Sequence, residues 1–289
     1  MSANMTTAFN METTGLVELL LQQKGSILRQ HIVTKSMQGR DSTVINQLGK
    51  VTATEKTSFA PETTYGNIQY FVRHCHPKSF DHAELIDRTY NLQTLVEPTN
   101  EYIMAIAYAI GRKVDDEIIR AALQPAMTGR DGTTAVALPA AQKIAHGNSG
   151  LTLAKLEEVN YKFSKADVDL DREEVRMFID PQQTRDLLNV LEVKSADYNQ
   201  VQPLMSGKVV YFMGIKFIPT NRLTKAGRIR SCAAFVSGGI VLGDWEDLYL
   251  SVNTETTRSH AKSIYGEKTY GATRTQEEKV IEIACQEPA

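Results

Sequence analysis

The sequence predicts an α+β fold: a β-rich body with a few helices, one outsized helix, and two extensions that lack cores of their own. Three observations lead there. EPTNEYIMAIAYAIGRKVDDEIIRAAL, residues 97–123, reads as one helix of about 26 residues, roughly 39 Å long, where globular helices more often run about 8–20 residues. Most of the chain on its C-terminal side has the apolar runs and turn signals of strands. The chain on its N-terminal side is too polar to fold on itself.

In chain order, the first 50 residues are rich in Gln, Ser and Thr, with one apolar burst at 16–21. LVELLLQQ and GSILRQHIV could each be a short helix or a strand, and neither could make a core alone, so they read as an arm that lies on something else. Residues 44–90 alternate weakly and carry β-formers (Thr52, Thr54, Thr57, then Ile68, Tyr70, Val72) around the turn-forming SFAPETTYGN with Pro61 and Gly66. That is a long polar β-hairpin, unstable unless it packs against a partner.

In the long helix, Glu97 and Pro98 form a favourable first turn. Ile103, Ala107, Ile110, Val114, Ile118 and Ala121 make one apolar stripe, expected to lie on an extended sheet, with Asn100, Arg112, Lys113, Asp115, Asp116 and Arg120 on other faces. Gly111 in its middle costs about 1 kcal/mol against alanine, so something other than propensity must hold the helix. Pro125 ends it.

MTGRDGTTAVALP reads as a loop and short strand, and GNSG at 147–150 as a boundary. A second helix spans 151–163, with Thr152 as its N-cap and Leu153, Leu156 and Val159 as core positions. RMFID reads as a strand, PQQTRDLLNVL as a helix opened by Pro181, and KVVYFMGIKFIP as a strand pair turning near Gly214. SCAAFVSGGIVLGDWEDLYLSVN supplies further strands. RSHAKSIYGEKTYGATRT is one or two long strands carrying Tyr265 and Tyr270, and KVIEIACQ is a closing strand.

The chain has 289 residues, 42% hydrophobic, enough for one large domain or two smaller ones. Its 34 acidic and 32 basic side chains argue against a dedicated nucleic-acid binder, which would show a basic excess. Cys75, Cys232 and Cys285 have no paired spacing, and MSANMTTAFN lacks a signal-peptide pattern, so synthesis in a reducing cytosol is expected. No apolar run approaches the length needed to span a membrane.

The search for chemistry finds no catalytic site. His74 and His76 in HCHP would share a face on a strand, but no second ligand pair stands at metal spacing, and ordinary hairpin residues are the better reading. DVDLDREE imitates half a calcium loop, yet has Arg172 where glycine belongs and Phe178 where glutamate belongs. GNSGL is no nucleophile elbow and GEKTYG no phosphate loop. Asp115 and Asp116 point about 100° apart on a helix and read as a solvated face. Cys232 and Cys285 lie in apolar runs and read as core. No catalytic, cofactor-binding or metal residues are expected.

The order of arm, hairpin extension, long helix, compact α+β domain and long terminal strands resembles the major capsid proteins of tailed bacteriophages, with their Hong Kong 97-like fold. YAIGRKVDDEIIRAA…TGRDGTTAVALPAAQKIAHG…SGLTLAKL, DLL…SADYNQVQPLMSGKVVYFMGIKFIPTNRL and YGATRTQEEKVIEIAC resemble a podophage-type capsid family, over roughly residues 40–286. The resemblance implies an N-arm at 1–40 and an extended hairpin loop at 41–88 reaching over a neighbouring subunit. A peripheral domain would comprise 89–150 and 251–276, with 97–123 as its spine helix, and an axial domain 151–250 and 277–289. It implies a non-enzymatic subunit that self-assembles through pentamers and hexamers into an icosahedral head around double-stranded DNA. The virion is its location after synthesis in a bacterial cytoplasm.

Portal and scaffolding proteins are implied partners, with a decoration protein as an optional one, non-specific contact with packaged DNA and no membrane. Some relatives carry a built-in N-terminal scaffold for which this chain has no room, so a separate scaffold is expected. Some crosslink subunits covalently, but Lys50, Lys56 and Asn67 come with no companion glutamate, so none is expected here. The inter-subunit contacts expected are Leu19 and Ile27 in the arm, and Phe59, Pro61, Tyr65, Ile68, Tyr70 and Arg73 in the hairpin. Ile103, Ala107, Ile110, Val114 and Ile118 are the expected core of the spine helix. The rival readings are a tail-tube or minor head protein and an encapsulin-type shell protein.

Overall fold

A computed structural model of the chain describes residues 22–39, 43–59, 65–87, 99–170, 172–189 and 210–288. The long helix, α1 (Thr99–Leu123), organises it. Leu16–Leu21, Glu97 and Pro98 lie outside the described residues.

Strands β1 (Val33–Ser36), β2 (Thr43–Leu48), β3 (Tyr70–Cys75) and β4 (Lys78–Ile86) precede the helix. After it come β5 (Ala126–Thr128), β6 (Thr134–Val136), β7 (Lys143–Ile144), α2 (Leu153–Lys165), β8 (Val175–Ile179) and α3 (Pro181–Asn189). Next are strands β9 (Tyr211–Phe212), β10 (Ile215–Pro219), β11 (Lys225–Ala226), β12 (Ile229–Phe235) and β13 (Ile240–Asp244). The chain closes with β14 (Tyr249–Glu255), β15 (Ala261–Arg274) and β16 (Val280–Gln286).

Among the described residues these strands make three sheets. The seven-stranded sheet runs β7-β16-β12-β8-β10-β9, with β11 beside β12. The five-stranded sheet runs β1-β13-β15-β14, with β4 on the other side of β15. A four-stranded sheet, β2-β3-β5-β6, stands at the base of the hairpin.

The 14-residue β15 is the surface on which α1 lies. Ile106 and Ile110 pack on Ile264 of β15 and Ile86 of β4, with Ile103 partly buried beside them. Gly266 makes this approach possible, since a Cβ there would stand 2.5 Å from Ile106 Cγ2. Beyond Gly111 the helix enters the main core, where Val114, Ile118, Ile119 and Ala122 meet the seven-stranded sheet and Leu156, Val159 and Phe163 of α2. Each large apolar side chain among these, fully buried, contributes about 1.5–3 kcal/mol. Ala107 is half-buried. The sequence stripe omits Ile106 and Ile119, because the helix is covered on more than one side and its buried arc is wider than a single stripe.

Three local expectations change. Among the described residues the hairpin ladder is confined to β2 and β3, with one further bond from Gly49 N–H to Gln69 O at 2.8 Å beyond Leu48 and Tyr70. Residues 50–59 and 65–69 form no strand, since a run as polar as KVTATEKTS has no apolar cross-strand pairs to hold a ladder. The other change at the hairpin concerns β4, whose nine residues pair with Lys262–Tyr270 of β15, so they belong to the long sheet. Thr152 does stand at the N-cap of α2, but its side chain makes no capping bond; one residue earlier, the Leu151 N–H donates to Asp186 of α3.

The arm changes most. Residues 22–39 rest on the chain's own body, with β1 parallel to β13 and Leu28 fully buried in the main core.

Candidate functional site

Two surfaces stand out: a clamp on α1 that holds the arm, and the hairpin loop that nothing described in the chain covers.

The clamp is built from residues one helical turn apart. Gly111 and Asp115 are both poor helix formers and, four residues apart, share a face. The arm's backbone crosses at Gly111, where a Cβ would stand 2.6 Å from Gly25 Cα and 2.8 Å from the Ser26 nitrogen. Asp115, 0% exposed, accepts the Ile27 and Leu28 backbone N–H groups, each at 3.1 Å. Its carboxylate also accepts Ser26 Oγ–H and the Gln23 side-chain amide. This is the work of an N-cap carboxylate, supplied from another segment of the chain.

Arg112 beside it donates to Gln22 Oε1 at 2.8 Å and Gln23 O at 3.3 Å. Further along the arm, Arg176 donates to His31 O at 2.6 Å, Arg29 pairs with Asp244, and Trp245 Nε1–H donates to Gly39 O at 3.1 Å. Asp116 is also engaged, receiving both Nε and Nη2 of Arg222 at 2.6 Å. The reading of Asp115 and Asp116 as a solvated face is therefore corrected. Burial of Asp115 is compensated by four donors, which sequence spacing on the helix alone does not reveal.

The far end of α1 is closed by a residue that sequence reasoning missed. Arg274 of β15, 0% exposed, donates to Ala122 O at 3.2 Å, Gln124 O at 2.9 Å and Val136 O at 3.1 Å. A cation on the last carbonyls suits the negative end of the helix dipole. Burial pulls its pKa below the usual arginine value. The sequence places position 274 in a long strand, but nothing local announces a buried arginine.

The hairpin loop is the opposite case. Phe59 is 102% exposed and Tyr65 91% exposed, and Leu48, Val51, Tyr70 and Phe71 of the same segment are exposed too, with Ile68 less so. Of the other contact candidates, Ile27 packs on the chain's own core, and Arg73 is buried, its Nη2 on Glu277 at 2.6 Å and its Nε on Thr275 O at 3.0 Å. Leu19 and Pro61 lie outside the described residues. β14 pairs only with β15 among the described strands, and its Tyr249, Leu250 and Val252 are exposed.

The other sequence candidates have structural occupations. The His74 ring lies 6.2 Å from that of His76, and its Nε2 donates to Gly129 O at 2.8 Å. Cys75, Cys232 and Cys285 are free thiols, all buried. Among the described residues no group of three or more His, Cys, Asp or Glu is placed to hold a metal ion, and no helix is long and apolar enough to cross a membrane.

Residues 4–287 match the family described as Phage capsid protein, so the chain belongs to that family and is a structural component of the virion. No curated protein matches the sequence. Among solved structures, the capsid of cyanophage Pam1 is similar at a TM-score of 0.78 and 11% identity, covering 97% of each chain. The capsid of Ralstonia phage GP4 is similar at 0.74 and 10% identity, covering 97% of this chain and 96% of that one. The capsid of cyanophage P-SCSP1u is similar at 0.70 and 16% identity, covering 96% and 94%. The fold is the Hong Kong 97-like fold of phage capsids.

Proposed function

We propose that this capsid protein is the major subunit of a tailed-phage head, closing through pentamers and hexamers into an icosahedral shell around double-stranded DNA. In this reading residues 49–69 are the limb by which one copy holds the next. The carrying observation is the exposure of Phe59 and Tyr65 on a loop with no strand partner among the described residues of its own chain. Aromatic side chains so placed gain their stabilisation on another copy, and the bare edge of β14 offers a second place for a neighbour to dock. Contacts that repeat head to tail around an axis close into rings, and each can be weak because every subunit makes many.

Portal and scaffolding proteins, and a decoration protein where one exists, would meet the assembled lattice. Contact with the packaged DNA is expected to be non-specific, as the net charge of −2 suits a wall that neither repels its copies nor grips nucleic acid. A peripheral domain built on α1 and β15 and an axial domain built on the seven-stranded sheet fit the same reading.

The test is assembly of a Phe59→Ser, Tyr65→Ser double variant, co-expressed with a scaffold and viewed by electron microscopy. The monomer should melt within about 1 °C of the parent, because exposed positions contribute within about 0.5 kcal/mol. Shells should be lost or need much higher protein concentration. Normal shells from the double variant would overturn the role given to the loop, and stacked rings from the parent would favour a tail tube.

A further inference from the structure

Between the hairpin base, the end of α1 and β15 lies a cavity of about 170 Å³. His74, His76, Lys78, Arg120 and Arg274 stand in its wall, which carries no carboxylate among the described residues. The counter-charges sit behind it. Glu117 pairs with Lys78 at 2.7 Å and with Arg120 at 2.5 Å. Glu277 pairs with Arg73 at 2.6 Å and with Arg274 at 3.7 Å.

Four permanent cations thus share two carboxylates in these pairs, four minus two leaving two positive charges. The C-terminal end of α1 offsets about half of one. Arg274 carries the sharper signal. Both of its Nη atoms are bonded to carbonyls, but its buried Nε has no acceptor among the described residues. Native interiors rarely leave such a donor unmatched. The Lys78 and Arg120 side chains, each paired with Glu117 on one side, remain roughly two-fifths exposed. The His74 ring is held in the wall by its bond to Gly129 O and by Gly132, where a Cβ would stand 2.8 Å from the ring.

We propose that this cavity binds a phosphate-class oxyanion. A small anion with several oxygens suits the half-exposed cationic side chains of Lys78 and Arg120 on two different elements, and its charge matches the surplus. The oxyanion would tie hairpin base, helix end and β15 together. Its phosphate has two conceivable sources, free inorganic phosphate and a nucleic-acid backbone. The inference is independent of the shell reading, because it is tested on unassembled full-length chain.

Inorganic phosphate is titrated against chloride at equal ionic strength, with binding read by phosphorus NMR line broadening and by melting temperature. Wild type should bind saturably and melt higher in phosphate. Arg120→Gln, which leaves the Lys78–Glu117 pair in place, should weaken phosphate at least fivefold, and Arg120→Lys should restore part of that loss. Lys113→Gln, on the same helix outside the cavity, should bind as wild type does. Competition by a short DNA duplex would assign the site to a phosphodiester, and absence of competition to the free ion; both support it. Wild type that responds alike to phosphate and chloride would overturn the proposal, as would an Arg120→Gln variant with undiminished affinity. So would a shell reconstruction with a neighbouring copy's carboxylate in the cavity.

Discussion

Replacing Asp115 by alanine should release the arm while leaving the body folded. The side chain accepts two backbone N–H groups at 3.1 Å, from Ile27 and Leu28, in addition to Ser26 Oγ and Gln23 Nε2. A hydrogen bond to a charged acceptor is worth about 1.5–3 kcal/mol. Taking only the two backbone bonds, at the low end, gives about 3 kcal/mol. At about 1.4 kcal/mol per decade, that is roughly a hundredfold loss of protection. The assay is amide hydrogen exchange on the unassembled full-length chain, read at Ile27 and Leu28, with Ala233 and Ile283 in the β12–β16 ladder as internal references. Those references should hold, since local opening of an arm need not reach the core. Asp115→Asn keeps the shape but loses the charge and one acceptor oxygen, so about tenfold is expected. Ser26→Ala should lose less still, as the two backbone bonds remain. If Ile27 and Leu28 in Asp115→Ala exchange within about threefold of wild type, the arm is held by something else and the clamp argument fails.

Gly111→Ala sets two effects against each other: about 1 kcal/mol of helix propensity is gained, but a Cβ 2.6 Å from Gly25 Cα must lift the arm. Faster tryptic cleavage after Lys24, with a body melting temperature unchanged or up to about 2 °C higher, is the expected pair of results. Lys155→Met should lower the melting temperature by about 5 °C, because the buried ammonium ties His146 O, Ser149 O, Gly150 O and Ala284 O together at 2.7–3.0 Å. A loss under about 1 °C would show that the loop does not depend on it. Glu287 gives a pH signature: the hydrogen bond from Lys225, assisted by Arg230, holds its carboxyl below the usual 4.5. A depressed carboxyl stabilises fully above about pH 4.5 and loses that contribution as pH falls through its lowered folded-state value. The melting-temperature gap between wild type and Glu287→Gln should therefore be widest at neutral pH and close under strong acid; a gap independent of pH contradicts the assignment.

How far these features can be read from sequence depends on the range of the interaction. The long helix, several strand segments after it and the turn near Gly214 come from local periodicity and local turn chemistry, and Met213 and Gly214 both take positive φ. The arm does not, because what decides its place is a carboxylate 87 residues away from Leu28 in the chain. A trace of it was nonetheless present: a glycine and an aspartate one turn apart in the middle of a helix are two unfavourable choices on one face, and paired exceptions to propensity ask for a third party. Arg274 left no such trace. It lies at the end of β15 where both faces are buried, and only the arrival of the helix end and β6 explains how a guanidinium is accommodated there. The polar hairpin was legible as a segment without a core, whereas the handover of β4 to the long sheet was not, since KSFDHAELI pairs with a strand that begins only at Ala261.

The two extensions, alike in sequence as segments poor in core residues, therefore do opposite work. Residues 22–39 are bound in cis by a buried carboxylate, a parallel strand pair and a main-core leucine, so their ordering entropy is offset within one chain. Residues 50–59 and 65–69 have none of these among the described residues, and in the function proposed above a neighbouring copy orders them. On the proposed function, the ordering of one limb is deferred to assembly, which would keep folding and lattice formation as separate events. The Asp115 and Phe59/Tyr65 variants separate those events experimentally. Loss of the clamp should alter exchange in the lone chain at any concentration, while loss of the aromatic pair should be silent in the monomer and expressed only as a shift in the concentration at which shells form. If the two variants proved indistinguishable in both assays, the division of labour between the extensions would be wrong, even with the fold intact.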